Sequence, residues 1–394
     1  MQELKRSTIP RVGILTYHFS DNYGACLQAY GLRQWLLKNG AEAEFINYVP
    51  RHVEAGGRLQ SPFSKTGLKA NLKVAFLWLS RLKQDVFGNA DQRDMFKTFQ
   101  EETLGVTGER LTTAEAVQGY LGGKGAHLDM LVCGSDQIWA ASLQNGIDPV
   151  YYLSFPDGSP KARRISYAPS FGRAGLDPVH HNEVSGYLSA FEGLSAREKS
   201  GVKLVHDLTG REAAWVPDPT ILLGDFSEFL EEHEAEVQGD HVFCYGLRTA
   251  SGIREAAEAA GKFTGSPVLS PFNPHRRWRE VGTTIYPSPA QWVTYLAKSK
   301  FVVTNSFHGT VFSILFRKPF ITVELPGARS ELNERSRSLL NALGLEERLV
   351  NGTDAAQVQE MLNRPIDWNE VSPRLEAMQK AGRMYLKNEL LAVS

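Results

Sequence analysis

A histidine at the point where a buried strand hands over to a helix can move a proton next to an anion, and His308 has that setting. The short apolar run Phe301-Val302-Val303 ends at Thr304-Asn305-Ser306, and Gly309 opens a helical spacing of Val311, Phe312, Ile314, Leu315 and Phe316. The imidazole therefore lies beside free backbone N–H groups and the positive end of a helix, where phosphate or carboxylate is favoured. In open α/β sheets that edge is also where ligands bind. A histidine satisfied by capping contacts alone is the plainer alternative.

The composition narrows the partners. The chain has 394 residues, enough for two domains with ample core. Its 43 basic and 44 acidic residues nearly cancel, which gives no electrostatic case for nucleic acid. The three cysteines, Cys26, Cys133 and Cys244, lie far apart and make no metal spacing, as expected of a reducing, cytosolic setting. The start, Met-Gln-Glu-Leu-Lys-Arg, lacks the apolar core of a signal peptide. No run of about 18 apolar residues is present, so no membrane span is expected.

Strands and helices alternate, the pattern of a parallel sheet covered on both faces. Strands are predicted at 12–16, 43–48, 130–133 and 165–168, and helices at 23–39, 178–190 and 197–208. Residues 51–66, rich in Gly, Arg and Ser, read as an excursion, and 67–103 carries helical spacing through Leu68, Leu72, Phe76, Leu79 and Leu82. An acidic helical stretch at 225–239 separates this half from a new strand at 241–246. A helix at 252–261, a helix from Pro289, the His308 strand–helix, a strand at 320–324 and a helix at 332–343 follow. The expected fold is α/β, with two Rossmann-like domains facing a cleft: 1–235 and 236–372, with a last helix at 373–394 packing back on the first. Neither half carries a Gly-x-Gly-x-x-Gly, so no dinucleotide fingerprint appears.

Six segments together resemble the polysaccharide pyruvyl transferases. They are Asp21-Asn22-Tyr23-Gly24-Ala25-Cys26, Cys133-Gly134-Ser135-Asp136-Gln137-Ile138-Trp139, Ser166-Tyr167-Ala168-Pro169-Ser170-Phe171-Gly172, Ser195-Ala196-Arg197-Glu198, Asp218-Pro219-Thr220 and Ser306-Phe307-His308-Gly309-Thr310. The resemblance implies a GT-B-like fold and transfer of pyruvate from phosphoenolpyruvate onto a sugar as a ketal, with release of phosphate. It implies phosphoenolpyruvate as co-substrate with no resident cofactor, and a sugar or lipid-linked oligosaccharide as acceptor. That chemistry demands no metal, and no ligand cluster with metal spacing is present.

The same resemblance distributes roles. His308 would act as general acid and donor contact, joined on the donor side by Arg197, Arg248, Ser306, Gly309 and Arg335. Guanidinium groups suit an anion carrying both carboxylate and phosphate because they bind bidentately. A surface pair with Glu198 is the competing account of Arg197, and a solvated helix face that of Arg335. On the acceptor side stand Asp21, Asn22, Tyr23, Ser135, Gln137 and Trp139, with Asp136 as base for the attacking hydroxyl. Helix capping competes at Asp21, Asn22 and Asp136. Donor and acceptor are expected on opposite walls of one cleft. The basic stretches Arg276-Arg277-Trp278-Arg279 and 51–69 read as solvated loops, with peripheral contact to the inner membrane face as the alternative. Two other functions remain open: a nucleotide-sugar glycosyltransferase, and a binding protein that kept the fold without the chemistry.

Overall fold

The computed structural model describes residues 9–50, 71, 89–141, 146–156, 160–247, 252–272 and 281–394, with backbone alone at 328–329. The excursion expected at 51–66, most of the helical spacing that follows it, Arg248 and the run 276–279 lie outside the described residues.

In the first half, strands of four or five residues pair in parallel; the two central ones are buried apolar runs, while the outer two carry Glu42, Glu44, Arg163 and Arg164. The elements are β1 (Arg11–Leu15), α1 (Tyr23–Lys38), β2 (Glu42–Phe45), α2 (Ala90–Thr98), α3 (Ala114–Gly122), β3 (Met130–Cys133) and β4 (Arg163–Ser166). Their sheet runs β2-β1-β3-β4, all parallel. After it come α4 (His181–Ser189), β5 (Ser195–Ala196), α5 (Lys199–Thr209), β6 (Ala214–Trp215), α6 (Pro219–Leu223) and α7 (Ser227–Glu232). Strands β5 and β6 form a separate parallel pair.

The second half supplies β7 (Val242–Tyr245), α8 (Ile253–Thr264), β8 (Val268–Pro271), β9 (Thr283–Ile285), α9 (Pro289–Lys298), β10 (Phe301–Thr304), α10 (Phe307–Leu315) and β11 (Phe320–Val323). Then follow α11 (Glu334–Leu343), β12 (Leu349–Val350), α12 (Ala355–Asn363) and α13 (Trp368–Leu391). The sheet order is β12-β11-β10-β7-β8-β9, again parallel. Counted within its own half, that is 6-5-4-1-2-3, the doubly wound order whose direction reverses between β7 and β10. The first sheet reverses between β1 and β3. Each reversal opens a crevice at the carboxyl ends of its strands, and the two crevices meet.

What brings them together is a shared apolar core. Tyr23, at the start of α1, stacks on Trp292 of α9 with centroids 5.5 Å apart, and its hydroxyl donates to the Pro287 carbonyl. Phe226, just before α7, packs edge-on against Phe312 of α10 at 4.9 Å. Helix α13 then crosses back onto the first half. Tyr385 donates to the Ser166 carbonyl, Gln379 to that of Ile221, and Glu389 pairs with Arg163 at 2.8 Å. Gly382 lies so close beneath Tyr167 that a Cβ would meet its hydroxyl at 2.6 Å.

Candidate active site

Three chain segments at the carboxyl edges of the strands aim basic side chains at one place. Ser306 caps α10, its hydroxyl accepting from the Gly309 N–H at 3.4 Å, so His308 occupies the first turn with its ring directed at the other half. Gly309 is required there by space, since a Cβ would lie 2.3 Å from Thr304 Oγ1. His308 Nε2 is 3.5 Å from Asp218 Oδ2, an ion-pair distance without the geometry of a hydrogen bond. The ring lies against α1 at Gly24, where a Cβ would come within 2.0 Å of Nδ1. Only glycine admits that approach.

Arg197 follows β5, whose backbone is locked to β4 by an exchange between Ser166 and Ser195 at 2.7–2.9 Å. Its side chain is 3% exposed. Nη1 donates to Asp218 Oδ2 at 2.8 Å and Nε to Glu198 Oε1 at 3.1 Å. Burial works against the guanidinium charge, but Glu198, Asp218 and Asp136 more than offset it and hold the group above its ordinary range. The expected pairing with Glu198 is present, buried rather than on the surface. Nη2 is buried without a hydrogen-bond partner among the described residues.

Arg335 reaches the same point from the first turn of α11. Asn333 fixes the approach by bonding Leu325 in both directions, its oxygen accepting at 2.9 Å and its nitrogen donating at 3.0 Å. Burial and the neighbouring charge of Arg197 push the Arg335 guanidinium below its ordinary range. Both guanidinium groups approach the ring of Phe307, Arg197 at 4.7 Å and Arg335 at 5.8 Å from its centroid. Two guanidinium groups on one aromatic ring, from two different elements, could clamp a multiply charged anion between them. Arg197, Asp218, Phe307 and Arg335 line a small pocket together with Trp215 and Met378.

Several residues expected to hold the acceptor sit elsewhere. Trp139 is fully buried, stacked on Tyr152 at 5.2 Å, with its Nε1 donating to the Tyr151 carbonyl. It packs the core of the first half and offers no face to a sugar. Tyr23 is buried in the contact between halves. Ser135 is buried and donates to the Ala168 carbonyl and to Asp218 Oδ2. Asn22 caps α1 by accepting from the Ala25 N–H, while Asp21 beside it is exposed. With its amide oxygen turned to Arg335, Gln137 accepts from that guanidinium at 2.6–3.1 Å.

Asp136 caps no helix among the described residues. It stands 3.9 Å from both Arg197 Nη2 and Arg335 Nη1, so it belongs to the cationic cluster and not to a far wall. The expectation of two separate walls is revised accordingly. Sequence reasoning had quoted Asp218, Phe307 and Gly24 only as parts of motifs. Asp218 reads as the N-cap before Pro219, a signal that its capping oxygen fully accounts for.

Two parallel sheets of Rossmann type meeting at their carboxyl edges define a GT-B-like α/β protein. The fold is similar to that of the UDP-N-acetylglucosamine 2-epimerase from Rickettsia bellii (10% identity, TM-score 0.51, 98% of this chain and 97% of that one). It is similar also to the UDP-GlcNAc 2-epimerase from Methanocaldococcus jannaschii (11% identity, TM-score 0.50, covering 96% and 98%). At these identities the likeness concerns fold alone. No curated protein matches the sequence. The chain belongs to the polysaccharide pyruvyl transferase family, which it matches over residues 22–325.

Proposed function

We propose that this enzyme transfers pyruvate from phosphoenolpyruvate onto two hydroxyls of a sugar as a ketal and releases phosphate. The observation that carries the reading is the convergence of Arg197, Arg335 and His308 around Phe307, with Arg197 Nη2 and His308 Nε2 buried and lacking hydrogen-bond partners among the described residues. A small anion bearing carboxylate and phosphate would supply the missing acceptors. Ser306 and Gly309 would hold it at the α10 end, with Arg248 as a further donor contact.

The reaction balances as follows. A proton from His308 adds to the methylene carbon, and a sugar hydroxyl oxygen bonds to C2 as its own proton leaves to Asp136. The bond between C2 and the phosphate oxygen breaks with its electron pair going to phosphate, and the second hydroxyl closes the ring, passing its proton to the departing phosphate, while the proton held by Asp136 returns through solvent to His308. The products are the ketal, which now carries a methyl group, and phosphate. Asp21 and Gln137, at the same edges, are the remaining acceptor contacts. The acceptor is a sugar of a polysaccharide or its lipid-linked precursor, which would bring a cytoplasmic enzyme to the inner membrane face. Among the described residues no helix is long and apolar enough to cross a membrane.

The test is phosphate release from phosphoenolpyruvate against a panel of sugars and lipid-linked oligosaccharides, with product mass read in parallel. Phosphate with a pyruvylated product is expected. Nucleotide release from a nucleotide sugar would make the protein a glycosyltransferase. Binding of phosphoenolpyruvate with no turnover on any acceptor would make it a binding protein.

A further inference from the structure

Helix α13 meets the rest of the protein with one side only. On that side Met378 borders the pocket that holds Arg197 and Arg335, and Tyr385, Gln379 and Glu389 grip the first half. The helix has 24 residues, about 36 Å of axis. Over its second half the opposite side is bare. Ala377, Lys380, Met384, Lys387 and Leu391 recur every three or four residues, so they fall on one stripe about 80° wide. All five are exposed, Met384 by 54% and Leu391 by 73%. Arg383 stands beside the stripe, exposed as well, with its guanidinium on Gln379 of its own helix. Glu389 is the one acid of this stretch, and it turns inward onto Arg163. The exposed acids of α13, Glu370 and Glu376, lie on earlier turns, together with the exposed Arg374. From Ala377 to Leu391 the helix therefore shows solvent three cations and no exposed anion, on a chain whose charges otherwise nearly cancel.

Cations beside an uncovered methionine and leucine fit a boundary where anionic groups overlie hydrocarbon. Nucleic acid would satisfy the cations and leave both apolar side chains in water. A second copy of the helix laid on the same stripe would crowd lysine against lysine. We propose that this face of α13 docks on a phospholipid bilayer that carries anionic headgroups. Lys380, Arg383 and Lys387 meet the phosphates, and Met384 and Leu391 reach the acyl boundary. Docking does not depend on the reaction proposed above. Where that reaction holds, docking sets the pocket about one helix diameter, 10–12 Å, from the headgroups, because Met378 lines the pocket from the other side of the same helix. A sugar carried on a lipid would then arrive at the side of the molecule where the pocket lies.

The experiment is co-sedimentation of the full chain with vesicles of phosphatidylcholine alone, and with vesicles in which about a third of the lipid is phosphatidylglycerol, at low salt and in about 0.5 M sodium chloride. Binding to the anionic vesicles is expected, at least about tenfold tighter than to the neutral ones and lost in high salt. Each basic residue near such a surface strengthens binding about fivefold, so Lys380→Glu, Arg383→Glu and Lys387→Glu together should weaken it by at least about a hundredfold. Met384→Ser with Leu391→Ser leaves the charge unchanged and should weaken it by at least about tenfold. All five positions are exposed, so both variants should keep the wild-type circular dichroism. Equal binding to the two kinds of vesicle, binding to neither, or either variant binding as the wild type does would overturn the proposal. So would equally tight binding of a mixed-sequence DNA duplex, or a dimer in light scattering that the same substitutions dissociate. No arm reads turnover, so failure of the phosphoenolpyruvate reaction and failure of the docking face are told apart.

Discussion

At the scale of single residues, the site concentrates two arginines, a histidine and three carboxylates, and the tests follow from who faces whom. His308→Ala removes the proposed proton donor from a buried position in the first turn of α10 and should lower turnover by roughly 10²–10⁴ in a protein that still folds. Near-normal turnover in a folded variant removes His308 from the chemistry. Arg197→Lys keeps a charge but not the fork that reaches Asp218 and Glu198 together. Affinity for phosphoenolpyruvate should weaken by about 1.5–3 kcal/mol, and an unchanged dissociation constant in calorimetry would make Arg197 structural. Asp136→Asn removes the anion standing between two guanidinium groups. Donor binding should tighten by about 1 kcal/mol, allowing for screening at a partly exposed carboxylate, while transfer to sugar falls. Weaker donor binding would contradict that geometry. His308 was legible because a strand-to-helix junction is written in local sequence. Asp218 was not, because one oxygen satisfies every local signal and the other acts across 90 residues, from Asp218 to His308.

At the scale of elements, α1 shows how a local rule yields to a distant contact. Alanine favours a helix over glycine by about 1 kcal/mol, and position 24 lies in the first turn of a 16-residue helix. Gly24→Ala should nevertheless cut turnover by at least about tenfold, because its Cβ would sit 2.0 Å from His308 Nδ1 and displace the ring. Unchanged turnover would mean that the ring has room to move without consequence. Strands β1, β3, β7 and β10 were readable as runs of apolar residues covered on both faces. The short strands toward the sheet's margins were not. β8 includes Ser270 and Pro271, β9 has three residues and β12 only two, too few for any periodicity to register. Helix α3 was hidden by Gly119 and Gly122, whose low helix propensity masks the cap at Thr113. The ring of Trp139 illustrates the reverse error: expected on the acceptor side, it is buried in the packing of the first half.

At the scale of the whole molecule, Asp218 ties the cohesion of the two halves to pH. Its carboxyl titrates lower in the folded protein than in the unfolded chain, where aspartate titrates near ~3.9. The unfolded state therefore binds the proton more readily, and the stabilisation is complete above about pH 5 and lost as pH falls through and below about 4. Urea melts between about pH 3 and 7 should show Asp218→Asn less stable than wild type at neutral pH and less sensitive to acid. An equal slope in both proteins would mean that the ion pairs contribute nothing net. The balanced composition, with 43 basic and 44 acidic residues, gave no hint of this local charge. Only the fold gathers it.

Helix α13 also sets an order in time. Its Tyr385, Gln379 and Glu389 close over parts of the first half that are complete by Ile221. During synthesis those surfaces emerge from the ribosome well before the helix that covers them. Chains grow at about 5–20 residues per second, so the strand bearing Arg163 and Ser166 waits on the order of ten seconds or more for its lid. In that interval the first sheet is an unfinished surface, and the cell must keep it from other chains until α13 has been made.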